Sequence, residues 1–259
     1  MSRRYVNLTI AGFILALTAA AGASSDDDEG RTATRVSRTV LLELFTSQGC
    51  SSCPPADRLL TELAASGSRG VDVIALSYHV DYWNYIGWTD PFSSADWSDR
   101  QRGYARQLAG GRAYTPQLVV DGVSECVGST RREVSRHIAS AASRAPGAEL
   151  DSRQGEDGHL IIKAGLPLTA HGAARVQVAI FETDLTTEVQ RGENARRTLH
   201  NDNVVRRLTT VAELAPGQRW SGDHSLVLDP SWRSDKLGVA VFVQSVPTLE
   251  ILAAAAQDI

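Results

Sequence analysis

The sequence predicts an α/β fold, a central mixed sheet flanked by helices, followed by a C-terminal β-sandwich-like domain. Three observations predict it. Two nearly continuous apolar runs of strand length flank a helical pattern between Thr39 and Ser77, and an Asp121-Gly122 pair joins two further short runs ahead of an amphipathic helix. Beyond Pro146-Gly147 the texture changes to short apolar runs separated by Gly, Pro and Asp. The first pattern marks a β-α-β unit with parallel strands, the second a hairpin, the third a small sandwich.

In chain order, Arg3 and Arg4 precede an apolar run over 8–20 that ends in Ala21-Gly22-Ala23. Residues 1–23 therefore read as a cleaved secretory signal peptide, which makes the protein exported, periplasmic or secreted; an uncleaved anchor is the alternative. No later segment approaches the roughly 20 apolar residues of a membrane span, so none is expected in the mature protein. Residues 24–37, with Asp26-Asp27-Asp28-Glu29, read as a flexible linker.

From Thr39, Thr-Val-Leu-Leu-Glu-Leu-Phe reads as a strand covered on both faces. It stops at Thr46-Ser47-Gln48-Gly49, and Cys50 follows. After Pro54-Pro55, which a helix's first turn tolerates, Leu59, Leu60, Leu63 and Ala64 recur at helical spacing up to Ser66-Gly67. Residues 71–77 read as a second buried strand and 78–92 as an aromatic-rich loop. Trp97, Gln101, Tyr104 and Leu108 share one helical face, a helical insertion near 84–110 that Gly110-Gly111 ends. Short strands at 117–120 and 123–127 flank the Asp-Gly turn, and Thr130 with Glu133 predicts a capping box ahead of Val134, Ile138 and Ala141. The order β-α-β-α-β-β-α is that of a thioredoxin fold, over residues 38–146. Residues 147–259 form the β-rich C-terminal domain, with strands expected at 159–164, 174–181, 225–228 and 237–246 and an alanine-rich stretch near the end.

The formal net charge of −4 grows more negative once residues 1–23, with two arginines and no acid, are set aside, and the arginines are scattered. That argues against a nucleic-acid partner. The three cysteines, Cys50, Cys53 and Cys126, all follow the signal, in a chain bound for a compartment where disulfides persist.

Cys50-Ser51-Ser52-Cys53 carries the chemistry. Exchange needs an accessible thiolate and a second thiol close enough to resolve the mixed disulfide, which two intervening residues at a helix start supply. Cys50, helped by the helix N-terminus, is the expected attacking residue, and Cys53, deeper, the resolving one. No prosthetic group is required; the implied partner is a protein thiol or disulfide. Three alternatives stand beside this: a static structural disulfide, half of a zinc site lacking its second pair, and a soft-metal (copper) site of two thiolates with His79. Tyr114-Thr115-Pro116 opens a strand with a proline, which a cis peptide would explain; the resemblance to thioredoxin folds, in which a cis-proline opens the strand beside the Cys-x-x-Cys, implies that Thr115 and Pro116 are substrate-facing candidates. His79 and Asp81 emerge at the same sheet edge as the cysteines and are candidate proton-exchange groups, while Trp83, Tyr85 and Trp88 read as shielding. Cys126 reads as a small core residue.

The run from Glu43 to Asp57, with His79-Val-Asp-Tyr-Trp83, Tyr114-Thr-Pro-Gln-Leu-Val-Val-Asp-Gly122, Arg191-Gly-Glu-Asn194 and Asn203-Val-Val-Arg206, resembles a bacterial family of exported thioredoxin-like proteins known as domain of unknown function 1223. The resemblance implies a thioredoxin-like domain plus a β-rich C-terminal region, with no role for Cys126. Gln48, Asp57, Glu193 and Asn194 fall in its motifs; in a β domain the Arg-Gly-Glu-Asn run reads first as a salt-bridged turn and second as a partner-binding site.

Overall fold

The computed structural model describes residues 39–155 and 159–259, and the expected signal peptide and linker lie outside them. β1 (Val40–Thr46) is buried along its whole length, as its unbroken apolar run requires. α1 (Pro54–Ser66) follows, and β2 (Val73–His79) runs parallel to β1 with Thr46 opposite His79. β2 extends two residues past its apolar run because Tyr78 and His79 still pair with Phe45 and Thr46. His79 is therefore a strand residue and not a loop residue.

α2 (Ala95–Leu108) starts at Ser94, whose hydroxyl accepts the Asp96 N–H. β3 (Gln117–Val120) lies antiparallel to β1 after a cis Thr115-Pro116 peptide, and β4 (Ser124–Val127) pairs with β3 across the Asp121-Gly122 turn. Thr130 caps α3 (Arg131–Ala142), but its side chain makes no cap bond. At φ −89° and ψ 80° it is turned out of the extended geometry a capping box needs. Its carbonyl accepts the Glu133 N–H instead, at 2.9 Å.

The second half supplies β5 (Glu149–Gln154), β6 (His159–Gly165), β7 (Ala174–Glu182), β8 (Leu185–Val189), β9 (Arg197–Asn201), β10 (Val204–Leu214), β11 (Arg219–Ser225), β12 (Leu237–Ser245) and β13 (Ile251–Asp258). A strand expected at 225–228 falls earlier, as β11. Four of these strands extend the sheet of the first half, giving one eight-stranded mixed sheet in the order β13-β12-β7-β10-β2-β1-β3-β4. The join is at the outer edge of β2, whose backbone groups need partners. Val204 lies opposite Ser77, Ser77 N–H donates to Asn203 O at 2.9 Å, and Asn203 Nδ2 donates to Ala75 O at 2.8 Å.

Alternation along the strands sorts the core. Leu42, Leu44, Leu118 and Val120 face α1 and α3, and Leu41, Phe45, Leu76 and Tyr78 pack with Trp97 and Tyr104 of α2. A three-stranded sheet, β11-β6-β5, lays Leu160, Ile162 and Ala164 against Val176, Val178, Val239 and Val241 of the large sheet. The exception to the apolar run of β1 is Glu43, 1% exposed, which meets Arg100 Nε at 2.6 Å and accepts from the Tyr104 hydroxyl. Arg100 in turn lies over the rings of Tyr78, Tyr104 and Phe242. A buried charge is tolerable only when so partnered, and here the pair pins α2 to the sheet.

Candidate functional site

β1 ends at Thr46 and the chain turns sharply before α1, with Cys50 N–H donating to Ser47 O at 3.1 Å and Cys53 N–H to Cys50 O at 3.2 Å. Cys50 and Cys53 are joined by a disulfide with Cα atoms 5.4 Å apart. Cys53 is the N-cap of α1; Pro54 and Pro55 carry no N–H, and the Ala56 and Asp57 N–H groups both donate to Cys53 O. The first turn thus has no unpaired N–H to face Cys50, contrary to the expectation that the helix start would stabilise its thiolate. The expected accessibility of Cys50 is also corrected. Ser51 and Ser52 are exposed, but Cys50 is 1% and Cys53 0% exposed.

The burial has identifiable sources. Asn194, in the loop joining β8 to β9, donates through Nδ2 to Gln48 O and to Cys50 O, each at 2.9 Å. Neighbouring Glu193 accepts the Ser51 N–H at 3.0 Å, and hydrogen bonding to the Ser51 side chain and backbone holds its carboxyl below the usual range. The Gln48 amide reaches the stem of the same hairpin, donating to Thr187 Oγ1 at 3.0 Å and Asn201 Oδ1 at 3.2 Å, and accepts from Trp88 Nε1 at 3.2 Å. The Arg-Gly-Glu-Asn run is therefore a turn applied to the cysteine loop through its amide and carboxylate.

Beneath the loop lies a buried ionisable network. His79 Nδ1 is 2.7 Å from Asp90 Oδ2, and Asp90 also accepts the N–H groups of Gln48 at 2.8 Å and Phe92 at 3.0 Å. Asp57, one helical turn beyond Cys53, accepts from Thr46 Oγ1 at 2.7 Å. Burial pushes the Asp57 carboxyl up to about 6 against the pull of His79 and Thr46. Burial pulls His79 down, but the Asp90 charge and hydrogen bond and the Asp57 charge outweigh it, leaving its pKa raised. Asp90 stays below the usual carboxylate range because His79 and its backbone donors overcome the same burial. His79 Nε2 is buried without a hydrogen-bond partner.

The remaining predicted residues divide. Thr115 Oγ1 accepts from Trp83 Nε1 at 2.8 Å, and Trp83 packs against Gly49, so the aromatic loop ties Thr115-Pro116 to the cysteine loop. Pro116 is buried and its carbonyl accepts the Gly128 N–H at 2.9 Å. Asp81 is not brought to the disulfide: its carboxylate accepts from Ser98 Oγ of α2 at 2.5 Å. Tyr85 points outward, 83% exposed, and shields nothing. Cys126 is a free, buried core thiol that desolvation pushes up to about 12. Asp90, Thr187 and Asn201 carried no signal in the sequence, being single polar residues in a loop and two short strands. Among the described residues no group of three His, Cys, Asp or Glu is placed to hold a metal ion, and no helix is long and apolar enough to cross a membrane. A cavity of about 610 Å³ between α2 and β10, lined by Arg100, Arg206 and Gln177, includes neither cysteine.

Residues 41–244 match the profile of a family described as "Protein of unknown function (DUF1223)". An X-ray structure of an Agrobacterium tumefaciens protein is similar at 30% identity and TM-score 0.68, covering 84% of this chain and 92% of that one. HBP35 of Porphyromonas gingivalis shares the fold at 12% identity and TM-score 0.59, covering 86% of this chain and 76% of its own. No curated protein matches the chain.

Proposed function

This chain belongs to the DUF1223 family, whose description assigns no activity, and from the site itself we propose that it is an exported thiol–disulfide oxidoreductase with a thioredoxin-like N-terminal half, acting on protein thiols through Cys50 and Cys53. The β-α-β unit, followed by an antiparallel hairpin beside β1 and a closing helix, supports the fold reading. The observation that carries the activity is the disulfide's position at the β1–α1 turn, above the buried Asp57 and His79.

In the exchange, a substrate thiolate attacks Cys50 Sγ. A mixed disulfide forms, the Cys50–Cys53 bond breaks, and the Cys53 sulfur leaves with the electron pair. That buried thiolate needs a proton, and a carboxyl titrating near 6 one turn along the helix is suited to hold one. A second substrate thiolate then attacks the mixed disulfide and releases Cys50. Two electrons and two protons have passed from the substrate dithiol to the protein, and the reverse sequence reduces a substrate disulfide. Asp57 and His79 are the proton-exchange groups of this reading, Thr115-Pro116 borders the cysteine loop where substrate would lie, and Asp81 takes no part.

The burial of both sulfurs favours a second reading, a structural disulfide in a binding or scaffold module. Titration against defined thiol buffers separates the two, since a structural bond lies below about −300 mV and an exchange site above it. Cys53→Ser, expressed with its export signal, should accumulate a mixed disulfide between Cys50 and its substrate. No trapped species together with a potential below that limit would remove the oxidoreductase reading.

A further inference from the structure

We infer that the tip of the β8–β9 hairpin is a substrate-displaced cap that makes the disulfide selective for extended polypeptide thiols over small thiols, with Asn194 and Glu193 as its specificity-determining residues. The inference rests on the exchange reading for its biological use but has its own observable.

The cap acts on backbone atoms. Asn194 supplies donors to Gln48 O and Cys50 O, and Glu193 supplies an acceptor to Ser51 N–H. Alternating donors and acceptors, the N–H and C=O of every second residue, are what an extended peptide carries along one edge. A polypeptide that lifts the hairpin tip can thus replace the lost bonds with its own N–H and C=O groups. A small thiol has no such edge and would leave Cys50 O and Gln48 O, both on buried residues, without donors, which is costly.

The contacts are also built to separate as a unit. Ile86 lies between two glycines: a Cβ at Gly49 would stand 3.3 Å from its Cδ1, and a Cβ at Gly192 3.4 Å from the same atom. Gly192 has φ +76°, a conformation that side chains other than glycine adopt rarely. Both contacts approach one flexible methyl end, so at Ile86 the hairpin tip and the cysteine loop meet across a small apolar seam, while the Gln48 side chain bonds the hairpin stem at Thr187 and Asn201 and not its tip. Asn194 is itself held by Arg197, whose Nη1 donates to Asn194 Oδ1 at 3.0 Å. The amide that grips the loop is therefore oriented from the hairpin side and leaves with it.

The test measures the rate at which the oxidised protein loses the Cys50–Cys53 bond to 2-mercaptoethanol, which has no peptide group, and to a ten-residue unstructured peptide with one central cysteine, at equal thiolate concentration, by quenching with a maleimide and counting labels by mass. Wild type should react at least tenfold faster with the peptide. Asn194→Ala and Glu193→Ala should speed 2-mercaptoethanol roughly tenfold, the weight of one or two hydrogen bonds, and shrink the ratio toward one. Glu193→Gln, which keeps an acceptor oxygen for Ser51 N–H, should stay near wild type, as should His200→Ala on the exposed side of β9. Equal rates for the two thiols in wild type, an unchanged ratio in both alanine variants, or acceleration in His200→Ala would overturn the cap. Glu193 is exposed, so Glu193→Ala keeps the test open if Asn194→Ala does not fold. A changed ratio with nothing trapped by Cys53→Ser would keep the cap and remove the exchange function; trapping with an unchanged ratio would do the reverse.

Discussion

Replacing Asp57 by Asn should stabilise the protein near neutral pH and not in acid. In the native state the carboxyl binds its proton up to about pH 6, whereas the unfolded chain releases it near 3.8. Between those values the folded state carries more protons than the unfolded one, so native stability falls as pH rises, and above about 6 the whole cost is present. A displacement of that size corresponds to about 3 kcal/mol at full ionisation, of which roughly 2 kcal/mol accrues between pH 4 and 6.5. Asn keeps the shape and an oxygen that can accept from Thr46 Oγ1, but cannot ionise. Urea unfolding followed by tryptophan fluorescence, with the disulfide oxidised, should show the variant about equal to wild type at pH 4 and about 2 kcal/mol more stable at 6.5, at unchanged m-value. A difference that stays flat across this range, or that grows toward acid, would refute the assignment of a buried, proton-holding carboxyl. On the exchange reading, the same variant should reduce more slowly with protein thiols, because residue 57 can no longer hold a proton for the Cys53 thiolate.

Removing Arg100 with Arg100→Met leaves Glu43 buried beside one hydroxyl, and should cost about 3–5 kcal/mol, read as a drop in Tm of roughly 10 °C or more for a domain of this size. Ala at Gly122, where φ is +68° and a Cβ would stand 2.0 Å from Leu249 O, should destabilise by about 1–3 kcal/mol in the same unfolding assay. Cys126, its thiol pushed up to about 12, should resist iodoacetamide at pH 8 in the native protein and react fully in urea; native labelling would contradict its place in the core.

The first half was legible because its signals are local. Continuous apolar runs gave β1 and β2, Ser94 and the spacing of Trp97, Gln101 and Tyr104 gave α2, and Asp121-Gly122 gave the hairpin. The second half was harder because its strands draw on partners far away in sequence. β10 reads as Val-Val-Arg-Arg-Leu-Thr-Thr-Val-Ala-Glu-Leu, with bulges between Val205 and Arg207 and between Thr210 and Ala212 that break its alternation. β13 is half alanine, a poor strand former held by pairing with β12. Spacing likewise located Cys50, Cys53 and Thr115-Pro116, but their burial depends on Asn194, 144 residues beyond Cys50, and no local pattern carries that.

The polar groups around the disulfide bear on which of its two readings the fold favours. A disulfide whose sole duty is to brace the β1–α1 turn needs apolar packing and nothing else. This one is surrounded by Gln48, Asp57, His79, Asp90, Asn194 and Asn201, all under 9% exposed. The Gln48 and Phe92 amides and one contact with His79 satisfy Asp90, yet Asp57 stands against its own desolvation, and His79 Nε2 is buried without a partner. Apolar residues of the same volume would avoid both costs. Groups that oppose stability while sitting one turn from a reducible bond are better accounted for by proton traffic during its reduction than by support of the fold. That places the decision on the pH dependence of reduction: a bracing disulfide should show only the titration of the attacking thiol, whereas an exchange site should add a second step near pH 6 that Asp57→Asn abolishes.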